Sequence, residues 1–138
     1  MPLYTVTTTE STMTANTKAQ LAGEIARIHS VINHVPAAYV NVVFVQLPAD
    51  SVYAGGAPAE PVLVSGWVRA GHPVEDVSRL ALEVAAAVTR VSGVPAEHVT
   101  VVFQSSPAQF AVDGGRLLPE PGHEGAWVTA GSDGRVGG

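Results

Sequence analysis

Removal of Met1 would leave Pro2 with a free secondary amine at the head of the chain. An α-amino group titrates near ~8, far below lysine, so modest desolvation or a neighbouring cation tunes it into a general base or acid at neutral pH. Arg69 is suited to a different role, because a guanidinium grips a carboxylate through paired N–H bonds, a geometry that fits a 2-oxo acid or an enol acid. His29 shares a helical face with Ile25 and Ile32, where a histidine serves either as a satisfied core residue or as a ligand-binding group. The five histidines lack the i, i+4 spacing with a partner carboxylate of a helical zinc site, and there is no cysteine. Neither a metal nor another cofactor is expected. Gly55-Gly56 and Gly114-Gly115 lack the pattern of a phosphate loop and read as turns.

A proton-carrying amine needs a rigid mount, and the chain supplies one twice. Laid on itself at an offset of 59, with Pro61 against Pro2, the sequence repeats without a gap through its first 49 residues. PAAYVNVVFVQLPA (36–49) falls on PAEHVTVVFQSSPA (95–108), and Leu21, Ala22, Glu24 and Ala26 fall on Leu80, Ala81, Glu83 and Ala85. Each copy opens with a β-type run, residues 3–8 or 62–68, rich in Val and Thr or broken by single Gly. A helical stretch follows, marked by Leu21, Ile25, Ile28 and Ile32 in one copy and by Val77, Leu80, Val84, Val88 and Val91 in the other. Thr14 or Thr17 can cap the first helix, and Pro73 suits the start of the second. A second β run, 39–45 or 98–103, closes each copy.

Strand, helix, strand in that order is a βαβ unit with parallel strands and a right-handed crossover. Two fused units, about 2–49 and 61–108, predict an α/β (α+β) fold: a four-stranded sheet with both helices on one face. The rest of the sequence suggests no further helix to cover the other face. Residues 109–127 carry Phe110, Leu117, Leu118 and Trp127 and read as an ordered arm of the same single domain (1–127), whereas 128–138 are small and polar and read as a fraying tail.

At 138 residues the chain suits one core. With 46% apolar and only 14% charged residues, and a mean hydropathy of +0.24, its surface is poorly supplied with charge, which favours an oligomer. A net charge of -5 with seven scattered Lys and Arg argues against nucleic acid as a partner. No stretch approaches the length of a membrane span and residues 1–14 lack the build of a signal peptide, so no membrane partner and a cytoplasmic location are expected.

Pro2 opening a duplicated βαβ chain resembles the 4-oxalocrotonate tautomerase superfamily, in particular its fused, double-length branch of cis-3-chloroacrylic acid dehalogenases. The pieces that carry the resemblance are MPLY, His29 near the end of the first helix, SGWVRAG with Arg69, and PAQFAVDGGRLLPEPGHEGAW. It implies a homotrimer with an amino-terminal proline at the base of each active site and a small carboxylate as substrate. Position by position, Pro2 matches the family's proline, His29 its histidine and Arg69 its first arginine. His72 stands where the dehalogenases have a second carboxylate-binding arginine, Val102 where they have a tyrosine, and Asp113 where they have the water-activating glutamate. The resemblance thus makes Pro2 and Asp113 the candidate catalytic residues and His29, Arg69 and His72 the candidate substrate-binding ones.

Three functions follow from this set. A keto–enol tautomerase needs no activated water, so the valine at 102 costs it little. A cis-3-chloroacrylate hydrolytic dehalogenase or hydratase would lean on Asp113 as base and on His72 to clamp the carboxylate, and would be weak. A trimeric binding scaffold without chemistry would follow if Met1 stayed in place, because the Pro2 nitrogen would then be an amide.

Overall fold

The computed structural model describes residues 2–135, with side chains through Gly131. Strand β1 (Leu3–Thr9) leads through a loop into helix α1 (Ala15–Asn33), and strand β2 (Asn41–Leu47) returns parallel to β1. After a small hairpin, β3 (Tyr53–Ala54) and β4 (Ala57–Pro58), the plan repeats as strand β5 (Val62–Arg69), helix α2 (Val74–Ser92) and strand β6 (Val99–Ser106). A second hairpin, β7 (Val112–Asp113) and β8 (Arg116–Leu117), precedes helix α3 (Glu124–Arg135). The main sheet runs β2-β1-β5-β6, parallel within each repeat and antiparallel where β1 meets β5. This is the expected four-stranded sheet with α1 and α2 together on one face.

Local chemistry sets the helix limits. Thr14 caps α1, its Oγ1 accepting from the Thr17 N–H at 3.1 Å, and His34 ends it in the left-handed conformation (φ 57°) with its N–H donated to the Ser30 carbonyl. Helix α2 begins after Pro73 with Glu75 and Asp76 in its first turn and Arg90 in its last, each charge suited to the nearby end of the helix dipole. Leu21, Ile25, Ile28, Leu80, Val84 and Val88 point down onto Tyr4, Val6, Val62, Val64 and Val68 of the central strands. Each fully buried side chain of this size contributes roughly 1.5–3 kcal/mol.

The register corrects the gapless repeat. Tyr4 pairs with Val42 but Val64 with Val101, so the first strands superpose at an offset of 60 and the helices and later strands at 59. The extra residue lies in the strand-to-helix loop, residues 10–13 in one copy against 70–72 in the other. Because strand faces alternate at every residue, the slip is needed to keep both first strands apolar side down. Pro2 therefore corresponds to Val62 rather than Pro61. The likeness between copies also runs further than residue 49, since the hairpins around Gly55-Gly56 and Gly114-Gly115 match, both glycine pairs having positive φ as a two-residue hairpin turn requires.

The C-terminal end departs most from expectation. Residues 128–135, read as a fraying tail, belong to α3, and residues 136–138 lie outside the described region. Helix α3 leaves the open sheet face uncovered; it packs instead on a second cluster at the sheet end, where Trp127 and Val128 join Val35, Tyr39, Ala108 and Leu118. Of the arm's apolar residues, Leu118 is buried whereas Phe110 and Leu117 face outward. The face of the sheet away from the helices presents Leu3, Val43, Val45, Leu63 and Val102, each more than a third exposed.

Gly66 pairs with Tyr4 on one side and with Phe103 on the other, and the rings of Tyr4 and Phe103 meet edge to face at 5.6 Å. A Cβ at position 66 would overlap the Phe103 ring. Gly66→Ala should therefore lower stability by about 1–3 kcal/mol in urea unfolding, and adding Phe103→Leu should give a loss smaller than the sum of the two single changes; full additivity would show that the ring does not rest on the glycine.

Candidate active site

The antiparallel pairing of β1 and β5 sets Leu3 opposite Trp67, which brings the start of the chain to the end of β5 where Arg69 lies. Helix α1 returns over β1, so its C-terminal half, with His29, ends above the same spot. The β5–α2 loop adds His72. Pro2, His29, Arg69 and His72 thus line one small pocket, walled by Val35, Trp67 and Val68. Pro2 is buried, and its carbonyl accepts the Asn41 N–H at 3.1 Å, which fixes the residue at the strand end. The structure brings together four of the five residues singled out in the sequence. The fifth, Asp113, sits on the β7–β8 hairpin opposite Arg116 and is not among the residues lining this pocket. Val102 lies on the open sheet face, paired with Ser65.

His29 is 2% exposed, and both its ring nitrogens are engaged. The Asn33 amide donates to Nε2 at 3.2 Å, which leaves the proton on Nδ1 to meet the Tyr4 hydroxyl at 2.7 Å. Burial, reinforced by the positive charge of His72 and Arg69, pushes its pKa down to about 3, so the ring is neutral throughout the physiological range. Burial also raises the Tyr4 hydroxyl far above its ordinary value. His72 is lowered by burial and then by Arg69, with Glu124 and Asp76 pulling the other way. The permanent cation of the pocket is therefore Arg69.

Arg69 is itself 3% exposed and is held by the C-terminal segment. Its Nη1 donates to the Pro119 carbonyl and its Nη2 to Glu124 Oε1, both at 2.7 Å. For Glu124, burial favours the neutral acid, but hydrogen bonds from Arg69 and from the backbone outweigh it and hold the carboxyl below its usual range. Sequence reading did not single out Glu124. The signal present was an acid in the first turn of a helix following Pro121-Gly122, hidden because 128–138 read as a tail.

A larger cleft occupies the corresponding end of the second repeat, with Thr12 and Val94 where the first has His72 and Val35, and strand symmetry sets Val62 in place of Pro2. Helical symmetry there sets Val88 in place of His29, and strand symmetry sets Thr9 in place of Arg69. The duplicated frame thus carries this constellation of proline, imidazole and guanidinium at one end and not at the other. Among the described residues no group of three or more His, Asp or Glu is placed to hold a metal ion, and no helix is long and apolar enough to cross a membrane.

A chain with this fold and this pocket belongs to the oxalocrotonate tautomerase family: residues 1–72 match the family model described as "Putative oxalocrotonate tautomerase enzyme". It is similar to native Ps01740, with 30% identity and a TM-score of 0.78 over 80% of this chain and 99% of that one. It is also similar to N1, a member of the cis-3-chloroacrylic acid dehalogenase family, with 27% identity and a TM-score of 0.88 over 92% of this chain and 90% of that one. A fused 4-OT that forms a symmetric trimer shares the fold at 23% identity and a TM-score of 0.78, over 86% of this chain and 97% of that one. No curated protein matches the sequence.

The neutral, buried state of His29 has a consequence for stability. Its folded value of about 3 lies below the ordinary 6.5, so between these limits the unfolded chain takes up a proton that the folded chain refuses. Stability from this group is complete above pH 6.5 and is lost as the pH falls toward 3, at up to about 1.4 kcal/mol per pH unit. Thermal melts between pH 7 and pH 4 should show a steep acid limb in the parent chain and a flatter one in His29→Gln; equal slopes would mean that the ring protonates in place.

Proposed function

We propose that this chain is a keto–enol tautomerase of small 2-oxo acids, with Pro2 as proton carrier once Met1 is removed. The observation that carries this reading is the meeting of buried Pro2 and Arg69 in one pocket whose two histidines are pushed toward the neutral state. A secondary amine in that setting loses solvation, which favours its uncharged form. This reading uses that free base at neutral pH. It takes the proton of an enol hydroxyl, and the resulting ammonium returns a proton to the adjacent carbon to give the ketone. Arg69 holds the substrate carboxylate, and His29 and His72 line the pocket as neutral hydrogen-bonding groups.

The similarity to N1 favours a second reading, hydrolytic dehalogenation or hydration of a cis-3-substituted acrylate, in which Asp113 would activate water. That reaction wants a cationic proline and a water base. The burial of Pro2, which disfavours the charged amine, and the position of Asp113 outside the pocket within one chain rank it second.

The open sheet face supports a homotrimer. Leu3, Val43, Val45, Leu63 and Val102 form an apolar surface that three copies would bury against one another, and a fused 4-OT of the same fold is a trimer. Light scattering should give the mass of three chains, and Val43→Asp combined with Val102→Asp should shift it toward one; an unchanged mass would remove the sheet face from the interface.

The direct test follows phenylenolpyruvate ketonisation by absorbance, using protein whose intact mass shows that it begins at Pro2. Pro2→Ala should reduce kcat/KM by about 10² or more. Absence of turnover from the trimmed chain would sink the tautomerase reading and leave a scaffold that binds without chemistry.

A further inference from the structure

Both hydrogen-bond partners of Arg69 come from one short stretch, residues 119–124, that leads directly into α3. The pairing is complete on the acid's side as well: Glu124 Oε1 takes Arg69 Nη2 at 2.7 Å and Oε2 takes the Gly122 N–H at 2.8 Å. Beyond this pair, α3 is held through Trp127, whose ring meets Tyr39 edge to face at 5.5 Å, lies 3.7 Å beneath the Arg116 guanidinium and donates its N–H to the Leu117 carbonyl. A crevice beside this contact is lined by Asn33, His72, Asp76, Pro121, Gly122 and Glu124, so Glu124 is reached from outside while Arg69 and Pro2 line the inner pocket.

We infer that Glu124 is a resident carboxylate which a substrate carboxylate replaces at Arg69, so that the start of α3 swings away only for a carboxylic acid. The inference deepens the proposed function and rests on its assignment of Arg69 as the carboxylate-binding group. A buried guanidinium stripped of its partner is strongly unfavourable, so the closed arrangement resists thermal opening and resists neutral ligands. Exchange of one carboxylate for another keeps the guanidinium paired before and after, and it releases Glu124 to water, where a carboxylate is well solvated. The selectivity is thus set by charge: a ligand without a carboxylate has nothing to offer Arg69 in return. Glu124 acts here as a specificity-determining residue through Arg69, without touching the reacting atoms.

The test uses the full chain, benzoate as an unreactive carboxylate and benzamide as its neutral counterpart. Calorimetric titration of Glu124→Gln should give benzoate binding at least ten-fold tighter than in the parent, because the neutral amide competes poorly for Arg69, while benzamide binds neither protein. In the parent, bound benzoate should speed amide hydrogen exchange at the start of α3 relative to β1 and β5. Equal or weaker benzoate binding by Glu124→Gln, including no binding by either protein, would overturn the inference, since it would make Glu124 a mere support for Arg69. So would benzoate that binds the parent and leaves exchange in α3 unchanged or slower. Should the Gln variant fail to fold, the exchange measurement on the parent decides alone. Because both readouts are binding measurements, carboxylate exchange without phenylenolpyruvate turnover would sink the tautomerase reading and keep this one, and proline-dependent turnover with α3 unmoved would do the reverse.

Discussion

The antiparallel seam between β1 and β5 is the constraint on which the rest of this molecule depends. Within each repeat the two strands run parallel and would place the ends of the unit far from its partner's. The seam turns one repeat over against the other, so that the first residue of one copy lies beside the last strand residue of the next. Pro2 and Arg69, far apart in sequence, become neighbours for that reason alone. A helix crossing back over β1 must end above the same place, which delivers His29. The pocket is therefore a consequence of topology, and the side chains that fill it are what distinguish one end of the duplicated frame from the other.

Packing then converts position into chemistry. Gly66 lets the Phe103 ring come down against Tyr4, and Tyr4 in turn carries a hydroxyl to His29. Burial of that imidazole between Tyr4 and Asn33 keeps it uncharged, so the electrostatics of the site reduce to Arg69 and its carboxylate partner. In the proposed reaction, one paired cation beside a desolvated amine, freed by removal of Met1, suits the movement of a proton between oxygen and carbon better than permanent protonation of that amine.

Much of this was legible in the sequence because periodicity and duplication are local signals. The βαβ units, the shared helix face and the grouping of Pro2, His29, Arg69 and His72 follow from spacing and from the resemblance that MPLY and SGWVRAG carry. The one-residue slip between the first strands was not legible. Pro61 mimics Pro2 in a plain alignment, and only the cross-strand partners of Tyr4 and Val64 reveal that the loop after β1 holds the extra residue. Helix α3 was missed for a related reason: its glycines and small polar residues make it a poor helix in isolation, and it is held by Trp127 and Glu124 rather than by intrinsic propensity.

That weakness of α3 bears on function. Helix α3 has low helical propensity and few buried groups among its described side chains, so its closed position rests on the Arg69–Glu124 pair and on Trp127, while β1, β5 and α1 lie in the continuous core. In the proposed mechanism the core elements hold Pro2 and His29, whose geometry proton transfer requires, and α3 supplies the countercharge of Arg69 that a substrate carboxylate would replace. Placing that exchangeable carboxylate on α3, outside the core, and the proline at the head of a central strand separates the group that would move from the groups that would not.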